Sequence, residues 1–302
     1  MRIAVIGGAG FIGSHLVDRL LAEEHEVDVI DDLSTGSIAN LAEARQTSSS
    51  VTGGSLKIHH IDAMSSEAES LFGMRRPQLV YQLALFPRRD ASARAQGRGF
   101  ESALAVMEAA RQHSVAKVIA TVPASSLYGQ PAASSLPVKE GELTPRGVRG
   151  VVARAVIDLM STYRERDMIE FTALAMSTVY GPRQSADGGV VAAFSAAHRD
   201  GRAPRLDGDG RQTRDFLFID DAVDALVRAG ERGSGLVINV GTGTQTTLRD
   251  LWTEISSGVG PEPESAPVRS DDLLRFAVSP VRARIHLGWS PWTELRDGLA
   301  RL

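Results

Sequence analysis

The chain of 302 residues has no cysteine. Disulfides, thiolate metal sites and a cysteine nucleophile are excluded, and the composition suits a reducing cytoplasm. Aromatic residues are scarce at 5%, and only 4 of them are tyrosines, which limits where a phenol can serve in proton transfer. Neither sign of charge dominates. Lys+Arg 33 against Asp+Glu 37 gives −4, so no basic field draws the chain to nucleic acid. No apolar run reaches the roughly 18 residues of a membrane span. The apolar start Ile3–Ile6 is broken at once by glycines and reads as a strand rather than a secretory leader. Histidines are scattered. His59 and His60 close a strand, where alternation sends their rings to opposite faces, so they do not chelate together. No metal-ligand spacing, nucleophile elbow, Walker loop or internal repeat is present. What remains is an ordinary globular composition, 43% hydrophobic and 23% charged, long enough for one large α/β domain or two modest ones.

The first half alternates short apolar runs with helical patterns. Strands are expected at Arg2–Ile6, Glu26–Ile30, Leu56–Ile61, Gln78–Ala84, Lys117–Val122 and Ile169–Ala175. Each is nearly continuous in apolar residues, as parallel strands covered on both faces are. Helices are expected at Gly13–Glu23, Ser66–Met74, Phe100–Gln112 and Val151–Arg166, with a Ser/Thr/Gly-rich excursion at Gln46–Gly54. Strands alternating with helices imply an α/β fold with a doubly wound parallel sheet. After about residue 180, Gly181-Pro182, Asp187-Gly188-Gly189 and Gly208-Asp209-Gly210 punctuate shorter elements. There, strands at Asp215–Ile219 and Leu236–Val240 flank a helix at Asp220–Ala229, Gly258–Pro267 reads as a loop, and Val281–Leu287 is the last patterned piece. The division expected is a nucleotide-binding domain over 1–176, to which 215–241 returns, and a smaller domain over 177–214 and 242–302 that sits lid-like over the C-terminal edge of the sheet.

The strongest signal is Gly7-Gly8-Ala9-Gly10-Phe11-Ile12-Gly13, directly after a strand and opening a helix. Gly7 permits the tight turn, Gly10 lets a pyrophosphate approach the backbone, and Gly13 lets the helix pack close to the sheet. The helix N-terminus offers N–H groups and a positive dipole end to phosphates. Asp31 closes the next strand and Asp32 follows it. A carboxylate there accepts hydrogen bonds from an adenosine ribose and repels a 2′-phosphate, so NAD is favoured over NADP. Asp62, with Ala63, ends the third strand, where a carboxylate meets an adenine amino group; it reads equally as a surface cap of the next helix. Leu83 and Ala84 end the fourth strand, where small residues let a cofactor lie against the sheet.

These motifs occur in order with Asp31-Asp32-Leu33-Ser34-Thr35-Gly36, Val179-Tyr180-Gly181-Pro182, Gly208–Phe216 and Asn239-Val240-Gly241-Thr242-Gly243. Together they resemble the extended short-chain dehydrogenase/reductase superfamily, and most its UDP-glucose 4-epimerase and nucleotide-sugar dehydratase members, from Met1 to Trp289. The resemblance implies a Rossmann-type sheet with a smaller C-terminal substrate domain. It implies NAD held by Gly7, Gly10, Phe11, Ile12, Gly13, Asp31, Asp32, Ser34, Thr35, Gly36, Asp62, Ala63, Leu83 and Ala84. It also implies a UDP- or dTDP-linked sugar whose diphosphate is gripped by Arg214 and Arg269, because guanidinium forks match phosphate oxygens. Thr178 and Arg205 join them on the substrate side, and the stretch from Gly188 to Arg202 resembles the segment that wraps the nucleotide base. A homodimer built on the helices Phe100–Gln112 and Val151–Arg166 is implied as well, with the apolar stripe Val151, Val152, Ala155, Val156 and Leu159 available for it.

The chemistry of that family rests on a Tyr and a Lys four apart on one helix, a Ser or Thr, and a supporting Asn. The Lys charge lowers the Tyr pKa, and the phenolate takes a proton from the sugar hydroxyl. Here the hydroxyl position is Ala124 and the Asn position Gly99. Matching Asp158 to the family Glu puts Gly150 at the Tyr and Arg154 at the Lys, where Arg154 would face the cofactor. Anchoring on Pro145 instead puts Arg149 at the Tyr. No tyrosine lies between Tyr128 and Tyr163 in either register. Arg154 keeps a charge, but with a pKa above about 12 it is no practical base. Ser125 and Ser126, in what reads as a loop just past the emptied site, are the candidates for proton transfer. Tyr128, Arg88, Arg89, Glu140 and Glu142 are further stand-ins, each equally explained by loop packing or solvated charge. Two readings stay open: an epimerase- or dehydratase-type enzyme with a rebuilt site, and a catalytically inactive protein that holds NAD and a nucleotide sugar. A different reaction on a non-sugar substrate is a third.

Overall fold

A seven-stranded, wholly parallel sheet forms the centre of the computed structural model, which describes residues 1–48, 54–87, 92–268 and 273–302. The first half runs β1 (Arg2–Ile6), α1 (Phe11–Ala22), β2 (Glu26–Asp31), α2 (Ala42–Ser48), β3 (Leu56–His60), α3 (Ser66–Arg75), β4 (Leu79–Gln82), α4 (Ala93–Gln112), β5 (Lys117–Pro123), α5 (Ala124–Tyr128), α6 (Gly147–Asp167) and β6 (Glu170–Met176). The second runs β7 (Thr178–Tyr180), α7 (Val190–Arg199), β8 (Arg205–Asp207), β9 (Thr213–Arg214), β10 (Phe216–Phe218), α8 (Ile219–Glu231), β11 (Leu236–Val240), β12 (Thr246–Thr247), α9 (Leu248–Ser256), β13 (Glu264–Ala266), α10 (Val281–Leu287) and α11 (Leu295–Leu299). The sheet order is β11-β6-β5-β4-β1-β2-β3. The order reverses between β1 and β4, and ligands of doubly wound sheets bind at that switch point, beyond the carboxyl ends of the strands.

Both faces are covered, which explains the unbroken apolar strands. Leu16, Leu20, Val29, Ile119, Ala222 and Leu226 belong to one apolar layer, under α1 and α8. Ile6, Val80, Val106, Val118, Val152 and Val156 belong to the other, under α4 and α6. The α6 stripe is thereby divided: Val152 and Val156 are core, whereas Val151 is 57% exposed, and Val148 on the same helix and Leu104 on α4 are exposed too.

Several elements depart from their sequence pattern for physical reasons. Helix α4 begins at Ala93, not Phe100, with Ser92 Oγ accepting from Ala95 N at 3.2 Å. Its first two turns are polar and carry Gly97 and Gly99, so they show no apolar stripe. Helix α6 likewise begins four residues early, at Gly147. Strand β4 is shorter than Gln78–Ala84 because the Gln82 side-chain oxygen accepts from Ala84 N (3.2 Å). The run at 215–219 does not enter the main sheet: β10 pairs with β7, and of that region β11 alone joins the seven strands. The expected loop at Gly258–Pro267 contains β13, which is held by parallel pairing with β8. No described helix is long and apolar enough to cross a membrane.

Candidate active site

The carboxyl ends of β1, β2, β3 and β4 surround a cavity of about 730 Å³. Every residue named above for the dinucleotide lines it, except Arg154. Gly7 has φ +80, which a side chain rarely adopts. A Cβ on Gly13 would stand 2.1 Å from Gly7 O, and one on Gly8 would lie 2.8 Å from the Val29 methyls. The turn therefore exists only with glycine, and it leaves α1 capped by Gly10, which brings no side-chain acceptor to the first-turn amides. Those amides are open to phosphate oxygens.

Asp31 braces the turn. Its carboxylate accepts from Ala9 N (2.9 Å) and Leu33 N (2.9 Å). Burial pushes its pKa up, and these two bonds oppose the shift. The Ala9 carbonyl in turn accepts from Ser37 N and Asn40 Nδ2, both at 2.9 Å. Gly36 lets the following loop come close, since a Cβ there would be 3.0 Å from both Asp31 oxygens. Asp32 is exposed and folds into a local turn, accepting from Ser34 N (2.9 Å) and Ser34 Oγ (2.6 Å). At the far end Asp62 accepts from Met64 N (2.9 Å) and from Arg98 Nη2 (3.0 Å). A dinucleotide fits these groups: glycine backbone for the pyrophosphate, carboxylates at both ends of the adenosine, and small Leu83 and Ala84 along the floor.

With this geometry in place, comparison with known proteins is decisive. The profile of the NAD dependent epimerase/dehydratase family matches residues 3–241. The chain belongs to that family. It is similar to the UDP-glucose 4-epimerase of Mycolicibacterium smegmatis, 38% identical over 319 aligned residues that cover 100% of this chain and 97% of the relative. Among solved structures it is similar to UDP-glucose 4-epimerase from Thermotoga maritima with UDP-glucose. There the identity is 30% and the TM-score 0.89, over 99% of this chain and 96% of the other. It is also similar to the Thermus thermophilus UDP-glucose 4-epimerase in complex with NAD, at 28% identity and TM-score 0.86, over 100% and 97% of the two chains.

The residues expected at the reaction end stand on α4, α5 and α6. Ala124 is fully buried at the start of α5, so Ser125 and Ser126 stand on a short helix, not the expected loop. Both are half-buried and neither is among the cavity-lining residues. Arg154 does not reach the cofactor cavity. Its side chain is 53% exposed and pairs with Asp158 one turn along, at 3.7 Å. Gly150 faces α5, where a Cβ would lie 2.2 Å from Ser126 O. Arg149 instead turns toward the cleft, its Cζ 5.4 Å from the centroid of Phe86, which lines the cavity. Of the two residues that the sequence offered at the phenol position, Arg149 therefore approaches a cavity-lining ring and Gly150 packs on α5, and four residues after Arg149 stands the fully buried Ala153. A Cβ on Gly99 would sit 2.0 Å from Leu85 O, so backbone fills the room the family gives to an Asn.

Two stand-ins have structural duties. Tyr128 donates to Asn239 Oδ1 at 2.7 Å, and burial drives its pKa up, away from any role as a base. Glu140 accepts from Asn239 N (2.8 Å) and faces Arg282, which fixes β11 against the 138–140 segment. Glu142 lines a separate hollow with Lys139 and Thr144. His59 and His60 do part company: His59 lies 3.0 Å from Asp28 Oδ1, and His60 lies 3.2 Å from Asp32 O.

Of the residues expected on the substrate side, Thr178 is held through its N–H to Asp215 O (2.9 Å), and Arg214 Nη1 donates to Thr213 O (2.8 Å) and Leu273 O (2.7 Å). Arg205 is 74% exposed and lies 3.5 Å from Asp207. None of the three lines the cavity. Arg269, Arg88 and Arg89 lie outside the described residues. Arg98, Ser102, Arg183, Gln184 and Ser185, which the sequence pattern did not single out, line it as well, beside Asp187 and Gly188. The hints in the sequence for the segment 183–188 were the Gly181-Pro182 and Asp187-Gly188-Gly189 turns at its two ends.

Proposed function

We propose that this chain binds NAD in the cavity and acts on a nucleotide sugar as an epimerase- or dehydratase-type enzyme, with proton transfer arranged differently from its family. The observation that carries the reading is the glycine turn braced by Asp31, a shape that no side chain at Gly13 would permit. The family match and the similarity to a UDP-glucose 4-epimerase support it. Bound NAD would supply a hydride acceptor and donor for transient oxidation of a sugar carbon. The first-turn amides of α1 would hold its pyrophosphate, Asp31 and Asp32 its ribose, and Asp62 its adenine. Residues 177–214 and 242–302 would form the smaller substrate unit, with Thr178, Arg205, Arg214 and Arg269 near a UDP- or dTDP-linked diphosphate. Arg149 places fixed positive charge beside Phe86, suited to negative charge that develops on a sugar oxygen. Ser125 and Ser126 are the hydroxyls adjoining the emptied Ala124 position. The exposed Val148, Val151 and Leu104 would pair two chains as a homodimer, in a cytoplasmic setting.

The second reading, an inactive binder, draws on one observation: backbone fills the space at Gly99 and Gly150. One experiment separates the two. The protein is incubated with NAD⁺ and a panel of UDP- and dTDP-sugars, following NADH absorbance and sugar products by chromatography. The enzyme reading expects products, their loss in Asp31→Ala, and a fall of about a hundredfold in Arg149→Met, the size expected for one lost electrostatic stabiliser. Unchanged turnover in the Ser125→Ala/Ser126→Ala double variant removes both serines from the chemistry. Tight sugar-nucleotide binding without conversion selects the inactive binder.

A further inference from the structure

Arg183 joins the segment after β7 to the dinucleotide-binding half of the cleft. It takes φ +63, a left-handed conformation that a non-glycine residue adopts only under constraint. Its side chain is 18% exposed, and the guanidinium forks between two elements. Nη1 donates to Asp18 Oδ2 of α1 at 2.6 Å, and Nη2 donates to Glu43 Oε2 of α2 at 2.7 Å. One residue earlier, the Pro182 carbonyl lies 3.0 Å from His15 Nε2. The His15 ring stands edge-on to Phe11 of the glycine turn, with centroids 6.0 Å apart. Two residues on from Pro182, the Gln184 amide donates to Val179 O (3.2 Å) and Gly188 O (3.0 Å), which closes the segment into a loop. Arg183, Gln184, Ser185, Asp187 and Gly188 then form a wall of the same cavity that Phe11, Ile12 and Gly13 line.

We propose that Arg183 is a positioning residue that clasps segment 182–188 across the cofactor cavity, so that a bound dinucleotide leaves only after Arg183 releases Asp18 and Glu43. The proposal rests on the NAD reading above. Its anchors are well placed for the task. Asp18 rides on the helix whose first turn meets the phosphates, and Glu43 on the helix that follows the Asp31 loop. Two short charge-assisted bonds from one planar group fix direction as well as distance, which a lysine does not match. The segment continues into α7, part of the unit assigned above to the sugar nucleotide, so the clasp also joins the two halves of the proposed site.

The test is the rate of NADH release, read as loss of protein-bound NADH fluorescence after dilution into excess NAD⁺. A clasp that must open before the ligand leaves adds its opening free energy to the release barrier, so weakening either pair speeds dissociation. Arg183→Gln is expected to release NADH about tenfold faster or more, and Arg183→Lys to fall between it and the wild type. Glu43 is 77% exposed, so Glu43→Gln is expected to give only about a two- to threefold rise. The cofactor-free variants should melt close to the wild type, because a tether with a purely structural role would lower melting and leave release unchanged. Release from Arg183→Gln at the wild-type rate overturns the clasp. Should that variant not fold, an unchanged rate in Glu43→Gln overturns it. A wild type that takes up no NADH defeats the cofactor reading, and the clasp with it; a wild type that binds NADH and variants that hold it equally well defeat the clasp alone.

Discussion

The glycine-turn end of the cleft is built from backbone, whereas the positions proposed for the reaction, on α4, α5 and α6, depend on their side chains. Gly7, Gly10 and Gly13 contribute the absence of a Cβ, and Asp31 is fixed by two backbone amides. Ala124, Arg149 and Gly99, among the positions proposed for the reaction, bring neither a phenol nor an ammonium. Binding a dinucleotide demands a shape, and the shape is lost if one methyl is added. Moving a proton demands a particular functional group at one point, and the fold survives its replacement, as the unbroken sheet shows. The two demands are separable, so a sequence can keep one while it rewrites the other.

The comparison breaks first at Gly13. Gly13→Val puts a Cβ 2.1 Å from Gly7 O. It should cost about 3 kcal/mol, the upper end for overpacking, and abolish cofactor binding. Chemical denaturation and calorimetric titration with NAD⁺ check both; a variant that still binds would show that the turn tolerates more than its geometry implies. Asp31→Ala comes next. It removes the acceptor for Ala9 N and Leu33 N, and affinity for NAD⁺ should fall by about 10- to 100-fold, as lost charged hydrogen bonds do.

A smaller effect lies at the amino-terminal ends of the strands, away from the cleft at their carboxyl ends. Lys117 is buried at the start of β5 and donates to Arg232 O at 2.6 Å. Burial lowers its pKa from 10.5 to about 8. Between those two values the unfolded chain holds more protons than the folded one, so this group makes stability rise with pH from about 8 to about 10.5. Relative to Lys117→Met, the wild type should gain stability across that window and gain nothing below it, as melting at pH 7 and pH 10 would record. Equal pH dependence in both proteins refutes the assignment. The smallest effect belongs to Arg154→Ala. An exposed pair one helical turn apart contributes about 0.5 kcal/mol at most, so stability and NAD affinity should both stay at wild-type values. A drop in affinity would return Arg154 to the cofactor site.

Much of this was legible before any coordinates. The parallel strands announced themselves as unbroken apolar runs because both sheet faces are covered, and the glycine turn because its spacing follows from backbone sterics. The polar first turns of α4 left no periodic trace, since they face the cavity and not the core. Strand β13 escaped notice for a related reason: three residues gain their extended form from β8, not from their own pattern. The direction of Arg149 and Gly150 was not available from spacing either, because two anchors, Asp158 and Pro145, gave two registers for the same helix.

The sequence by itself determined the family, the sheet and the cofactor end, since each depends on local rules of periodicity, glycine placement and chain order. Tertiary structure alone decided which side chains reach the reaction end. It turned Arg149 toward Phe86 and Arg154 toward solvent, buried Ala153, and closed the backbone of Leu85 and Ser126 over Gly99 and Gly150. The physical reason is that a residue's direction on a helix is set by what the helix packs against, and α6 takes its rotation from α4, α5 and the sheet beneath.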